Sequence, residues 1–325
     1  MTLALEGGHV ALPDAGTICV FGPETADDLM ALPKDRILAI TRFFPDHQGL
    51  AAQGFRVATA VAEPATSAVV CLPRAKAHAR ALLAEAAASV PAKAPVIVDG
   101  ARTDGIESIW RDLKTRVQVS EPLAKAHGRI FSFPAGPELA DWQAHDTLID
   151  GGFITRPGVF SADAPDPASV ILAAALPPKM PGYTVDLGAG WGYLAHAVLT
   201  RPGVKRVDLV EADAVALDCA RRNITDPRAR FVWADATRFR ADGYADFVVC
   251  NPPFHRNRSA DPALGQAFLA AAARILHPQG QLWLVANRTL PYLAPARALF
   301  REVEDLGATA AFRLIRASHP HRTRP

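Results

Sequence analysis

The sequence predicts an α/β molecule made of two tandem, doubly wound domains, each with a largely parallel sheet. Three observations predict it. Short apolar, β-branched runs alternate with helix-patterned segments along the 325 residues, the pattern written by parallel strands joined through crossover helices. The order of these segments in the first half returns in the second, most clearly where a strand, a proline-containing turn, a long alanine-rich helix and another strand succeed one another at 67–99 and 245–286. Finally, the glycine-rich stretch Gly188-Ala189-Gly190-Trp191-Gly192 lies between a predicted strand and a predicted helix, which is where doubly wound sheets bind ligands.

Taken in order, residues 17–21, 36–40, 56–61 and 67–72 are predicted strands, followed by an alanine-rich helix over 75–90, a strand over 94–99 and a short helix over 105–113. Segments 118–121 and 129–133 are expected to pair as two closing strands. Residues 134–150 are rich in Pro, Gly and Asp, the composition of a boundary, and divide the chain into domains 1–140 and 141–325. In the second half the expected strands are 183–187, 206–211, 230–234, 245–250 and 281–286, with helices over 192–200, 214–223 and 264–276. A helix over 293–300 leads to two last strands, 302–306 and 310–317.

Apolar residues make up 50% and charged residues 21% of the chain, a globular composition. No stretch approaches the roughly 20 apolar residues of a membrane span, and Met1 to Pro13 carries Glu6 but no basic segment ahead of an apolar core. No membrane association and no secretory signal are expected, and the protein is expected in the cytoplasm. Cys19, Cys71, Cys219 and Cys250 are widely spread with no C-x-x-C pair, so the expectation is reduced thiols, without a disulfide framework or a metal site. The net charge of +2 hides an asymmetry, since residues 1–150 hold 14 Lys and Arg against 18 Asp and Glu, and residues 151–325 hold 21 against 15. The basic half fits a nucleic-acid substrate, though an excess of this size also occurs on proteins that bind none.

Chemistry concentrates in the stretch Phe247-Val248-Val249-Cys250-Asn251-Pro252-Pro253-Phe254-His255, an apolar strand that runs into a rigid polar turn. Asn251 brings a side-chain carbonyl, while Pro252 and Pro253 fix φ and have no N–H, so nearby backbone carbonyls face outward as acceptors. Such a turn can grip an amino group. An exocyclic amine of a nucleobase is a poor nucleophile because its lone pair is delocalised into the ring. Two acceptors that bind its hydrogens favour a pyramidal nitrogen with the lone pair aimed at an electrophile. Phe254 is placed to stack on the base. Asn251, Pro252, Pro253 and Phe254 are the candidate catalytic residues; the competing explanation is a proline-terminated strand followed by a core phenylalanine.

The glycine loop weighs against that explanation. Gly188, Gly190 and Gly192 let the backbone approach a ligand closely, but the third glycine of a dinucleotide fingerprint would fall at position 193, which is Tyr193. The loop is therefore expected to hold a nucleoside cofactor rather than a pyrophosphate. Glu211 ends the next predicted strand, where a carboxylate can accept both ribose hydroxyls, Asp235 follows the strand after that, where it can bind an adenine amine, and Asp186 is placed to orient an ammonium. Each acid taken singly is equally what a solvated strand end carries. Their succession on consecutive strand ends, followed by Asn251, is what points to a cofactor site. The first half has Phe21-Gly22-Pro23-Glu24-Thr25 in place of the glycine series and Cys71-Leu72-Pro73-Arg74 in place of the Asn251 turn, so the first copy is expected to be catalytically dead.

This order of Asp186-Leu187-Gly188-Ala189-Gly190-Trp191-Gly192, a strand-end Glu, a strand-end Asp and Asn251-Pro252-Pro253-Phe254-His255 resembles the class I S-adenosylmethionine-dependent methyltransferases that act on exocyclic or amide nitrogens. More narrowly, the whole chain is similar to the bacterial small-subunit ribosomal RNA guanine-N2 methyltransferases. The resemblance implies two tandem Rossmann-like methyltransferase domains, the N-terminal one degenerate, with S-adenosylmethionine as cofactor and ribosomal RNA or the small ribosomal subunit as partner. Gly158-Val159-Phe160-Ser161, Val285-Ala286-Asn287 with Leu290-Pro291-Tyr292, and Leu72-Pro73-Arg74-Ala75-Lys76 look like landmarks of that family. By the same resemblance Phe160 and Ser161 cover the cofactor and Asp166 lies near its methionine end, while Asn251 borders it. Trp191 departs from the smaller residue usual in the loop, and the tail from Pro320 to Pro325 has no counterpart.

His255, Arg256 and Arg258 follow the turn and can neutralise phosphates beside a flipped base, or simply solvate a loop. Arg221, Arg222, Arg228 and Arg230 are expected to be solvated, and His319 and His321 to lie in a disordered tail. Two other functions stay open on the residues: an adenine-N6 or protein glutamine-N5 methyltransferase, for which Tyr is more usual at the position of Phe254, and a non-catalytic RNA-binding assembly factor.

Overall fold

The computed structural model describes every residue except Asp28, 254–261 and 322–325. The chain divides into two compact units, Met1–His145 and Asp146–Pro325. The first contains α1 (Thr2–Glu6), β1 (Ile18–Phe21), β2 (Ile37–Ile40), α2 (Phe44–Ala52), β3 (Arg56–Ala58), β4 (Ser67–Cys71), α3 (Lys76–Ala88), β5 (Pro95–Ala101), α4 (Ile106–Lys114), β6 (Leu123–Lys125) and β7 (Gly128–Pro134). The second opens with a hairpin, β8 (Thr147–Ile149) and β9 (Phe153–Thr155), and α5 (Pro167–Ala175). It continues with β10 (Gly182–Leu187), α6 (Tyr193–Leu199), β11 (Val204–Glu211), α7 (Ala214–Asn223), β12 (Ala229–Trp233) and β13 (Ala245–Cys250). The chain then forms α8 (Pro262–Ile275), β14 (Leu276–Asn287), α9 (Leu293–Leu299), β15 (Phe300–Ala308) and β16 (Phe312–Pro320).

Each unit holds a seven-stranded sheet, ordered β3-β2-β1-β4-β5-β7-β6 in the first and β12-β11-β10-β13-β14-β16-β15 in the second. The two orders are the same, strand for strand, and in both the last two strands run antiparallel to their neighbours. β1 and β2 are buried at every residue, because helices cover both faces of such a sheet and remove the usual alternation of apolar and polar positions. In the second unit the two faces feed separate cores, with Val248 of β13 in one and Val249 in the other. Alanine lets α3 lie close to its sheet, with Ala79, Leu82, Leu83 and Ala86 turned inward. On α8, a Cβ added at Gly265 would lie 1.8 Å from the Tyr292 hydroxyl oxygen, so the missing side chain is what admits the buried ring of Tyr292.

Several elements differ from expectation. Residues 118–121 form no strand, although the Ser120 N–H donates to the Ser132 carbonyl of β7 at 2.9 Å; Pro122 has no N–H for a ladder, and the regular ladder with β7 runs from Leu123. The strand expected over 56–61 ends at Ala58. The helices α1, α2 and α5 and the β8–β9 hairpin are additions to the predicted set. His319 and His321 do not belong to a disordered tail: His319 lies in β16, Pro320 pairs with Phe300, and the His321 N–H donates to the Leu299 carbonyl at 2.8 Å. All four cysteines are free thiols. Among the described residues no helix is long and apolar enough to cross a membrane, and no cluster of three or more His, Cys, Asp or Glu could hold a metal ion.

Candidate active site

In the second sheet the chain order reverses at β10, which is flanked by β11 on one side and β13 on the other. Loops leaving the C-terminal ends of β10 and β13 therefore diverge and open a crevice. Leu187 and Cys250 are partners in register, so the glycine loop and Asn251 leave the sheet side by side. The cleft between them is lined by Phe160, Ser161, Asp166 and Ser169, by the loop residues Gly188 to Trp191, by Tyr193 and Leu194, and by Asn251.

The three glycines all have positive φ, +76° at Gly188, +55° at Gly190 and +96° at Gly192, but they serve different ends. A Cβ at Gly192 would press within 2.9 Å of Ile224 Cδ1, so this glycine allows α6 to pack. A Cβ at Gly190 would meet nothing within 4 Å. Its open side leaves room for a ligand to approach the bare backbone. The loop is held from below by Glu211, whose Oε2 accepts from the Gly190 N–H at 2.8 Å and whose Oε1 accepts from the Asp213 N–H at 2.8 Å. Burial pushes the Glu211 carboxyl up to about 7, against the lowering by these backbone donors.

Asp186 is fully buried in β10, and among the described residues neither of its carboxyl oxygens reaches hydrogen-bond geometry with a partner. Burial pushes its pKa up to about 8, opposed by the facing Ala195 amide and reinforced by the Glu211 charge. Asp235 stands two strands away from β10. Its Oδ1 accepts from the backbone N–H and the hydroxyl of Thr237 at 2.9 and 2.6 Å, and Arg238 lies 3.8 Å from Oδ2. Of the predicted cofactor residues, Phe160, Gly188, Gly190 and Asn251 thus line the cleft, while Asp186, Glu211 and Asp235 stand behind or beside its wall.

Asn251 is half-buried, Pro252 buried and Pro253 exposed. Its Nδ2 donates to Asp166 Oδ2 and to Ser169 Oγ, both at 2.9 Å. Asp166 is the N-cap of α5, accepting from the Ser169 N–H at 2.9 Å. Across the cleft, Phe160 is 57% exposed at the rim, and Ser161 holds a left-handed φ of +51°. This strap is tied to the glycine loop, because Trp191 Nε1 donates to the Phe160 carbonyl at 3.0 Å. The Trp191 ring packs on Phe153 and Tyr193, with centroids 5.0 and 5.7 Å away. Phe254, His255, Arg256 and Arg258 lie outside the described residues.

Residues 150–316, just over half of the chain, match the model of the methyltransferase small domain. The ribosomal RNA small subunit methyltransferase C of Aeromonas hydrophila is 32% identical over 261 residues, covering 76% of this chain and 75% of that protein. The chain belongs to this methyltransferase family. Its counterpart from Klebsiella pneumoniae is 29% identical over 250 residues, 75% of this chain and 73% of that one. The solved structure of the T. thermophilus 16S rRNA N2 G1207 methyltransferase, in complex with AdoMet and guanosine, superimposes with a TM-score of 0.79. That match covers 95% of this chain and 89% of the other at 23% identity, and carries the fold.

S-adenosylmethionine, the methyl donor that such a family implies, fits what the cleft offers. Gly190 leaves room for a ligand against bare backbone, and Asp186 and Glu211 place carboxyl groups under the same loop. The glycine that follows β1 in the first unit is not open in this way, since a Cβ at Gly22 would lie 3.3 Å from the Cys71 carbonyl oxygen and 3.4 Å from Leu82 Cδ1. After β1, the Thr25 N–H and hydroxyl both bond to Asp46 of α2 at 2.9 Å, and the Glu24 N–H bonds to Asp27. Where Asn251 follows β13, buried Leu72 follows β4.

Sequence reasoning missed Ser169 as part of the cleft, and it missed α5 as an element. The signal was present, because Asp166-Pro167 is a helix start with an N-cap acid and proline at the first helical position. Trp191, read as a departure from the family pattern, is the hydrogen-bond tether of the Phe160 strap.

Proposed function

We propose that this chain transfers a methyl group from S-adenosylmethionine to the exocyclic N2 amine of a guanine in small-subunit ribosomal RNA, in the cytoplasm. The relatives' names carry the substrate class. The observation that carries the chemistry is Asn251, a residue of the cleft lining: both amide hydrogens are bound to Asp166 and Ser169, and among the described residues Oδ1 accepts no hydrogen bond. When bound, S-adenosylmethionine supplies a sulfonium methyl group whose bonding pair stays with sulfur as the methyl leaves.

The chain's residues supply the rest. Glu211 and the glycine loop would hold the ribose, Asp235 would receive the adenine end, and Asp186, buried behind the cleft wall with its carboxyl held protonated, would help to orient the ammonium end without a charge of its own. Asn251 Oδ1 and the adjoining turn carbonyl accept the two hydrogens of the guanine amine, so that its lone pair points at the methyl group. Once the new N–C bond forms, the amine is cationic and gives one proton to water, so no strong general base is needed. Phe160 and Ser161 close the cofactor side of the cleft against water. The first unit, without a glycine cradle or an Asn251 turn, performs no methylation and serves the second by support or by contact with a large RNA.

The test is transfer of labelled methyl from S-adenosylmethionine to small-subunit RNA, followed by nucleoside analysis. The expected product is N2-methylguanosine. Label in adenine-N6 or in protein glutamine would assign the alternative methyltransferases, and no transfer with no cofactor binding would assign an assembly factor.

A further inference from the structure

The chemistry proposed for Asn251 requires its carbonyl, and not its amino group, to face the substrate, and two residues outside the turn decide this. Asp166 lies 85 residues earlier in the chain and Ser169 lies 82 earlier, yet both receive Asn251 Nδ2 at 2.9 Å. An amide nitrogen has two hydrogens, and both are spent here. Oδ1 accepts no hydrogen bond among the described residues, and the Asn251 side chain borders the cleft. The opposite amide orientation would set Oδ1 against the Asp166 carboxylate, an acceptor facing an acceptor.

We infer that Asp166 and Ser169 are positioning residues that lock the Asn251 amide with its carbonyl toward the substrate amine. This rests on the function proposed above. Asp166 does more than orient. A charged acceptor on the N–H side draws the amide toward its N=C–O⁻ form, and so strengthens Oδ1 as an acceptor. The Asp166 carboxylate is itself fixed, since its Oδ2 also caps α5 through the Ser169 N–H at 2.9 Å. Start of helix and catalytic turn are thereby built on one carboxylate oxygen, which makes α5 a rigid second support for a residue on a strand end.

A double-mutant cycle in the full-length chain tests this. Asp166→Asn keeps the size of the side chain and a good N-cap, but gives Asn251 a neutral, ambiguous partner. With cofactor saturating, the single-turnover rate should fall about 10–100-fold, the range set by weakening a hydrogen bond to a charged group. In an Asn251→Ala background the same substitution should cause no further loss, because there is no amide left to orient. Ser169→Ala should behave alike with a smaller first step, and carries the test if Asp166→Asn does not fold. Equal losses from Asp166→Asn with and without Asn251, as a purely structural or cofactor-contacting role gives, would overturn the inference, as would wild-type turnover of both single variants. An Asn251→Ala enzyme at full rate would instead remove the proposed role of the turn, and the inference with it.

Discussion

Glu211 is a residue whose role changes once its contacts are known. The sequence places a carboxylate at a strand end, suited to ribose hydroxyls; the structure adds that each of its oxygens already accepts a backbone N–H, one of them from Gly190. Glu211→Ala should therefore weaken S-adenosylmethionine binding by about 1–3 kcal/mol, partly by releasing the loop. Titration calorimetry with unchanged secondary structure would check it. Asp186 makes a prediction of its own. Its carboxyl, held to about 8 by burial, sits well above its value in an unfolded chain. The native chain thus keeps a proton that the unfolded chain gives up, so stability is full at low pH and declines as pH rises from about 4 to about 8. Thermal melts without cofactor should show Asp186→Asn losing less stability than wild type between pH 5 and pH 8. A parallel fall in both would contradict the assignment. Gly190 and Asn251 were legible because their residue types have few alternative uses at such places. Asp166 and Ser169 were not, since a contact across more than 80 residues leaves no mark in either segment alone.

Elements with a strong apolar run or periodicity were legible, and those defined by partners were not. β10, β13 and α7 coincide with the segments expected at 183–187, 245–250 and 214–223 to within a residue. α5 escaped because its composition, Pro-Ala-Ser-Val-Ile-Leu-Ala-Ala-Ala, gives no clear amphipathic stripe, and only its capping signal marks it. β16 runs to Pro320 because β15 offers a partner there, which a charged tail does not reveal. The helix α8 carries a prediction at this scale. Replacing a helical glycine by alanine ordinarily stabilises, but at Gly265 the new methyl group would overlap the Tyr292 ring. Gly265→Ala should lower stability by about 1–3 kcal/mol in chemical denaturation, as overpacking does. A gain would show that Tyr292 moves freely.

For the whole molecule, the repeated order of sequence segments was enough to predict duplication, and the two sheets share one strand order. What separates the units is local: Gly190 faces open space, while the loop after β1 spends its donors on Asp27 and Asp46. A full-length chain should consequently bind one S-adenosylmethionine, and Gly190→Trp, which fills the cradle, should abolish that binding. Two sites per chain, or binding retained in Gly190→Trp, would contradict the division of labour.

The central claim is that Asn251 steers the amine as the methyl moves while other residues hold the cofactor. Single-turnover methylation of small-subunit RNA by Asn251→Ala, with S-adenosylmethionine saturating, tests it most directly. The rate should fall on the order of 10²–10³-fold, by analogy with the loss of one preorganised hydrogen-bonding group, with cofactor affinity nearly unchanged and a shallow pH profile near neutrality. Near wild-type turnover, or a defect confined to cofactor affinity, would contradict the account.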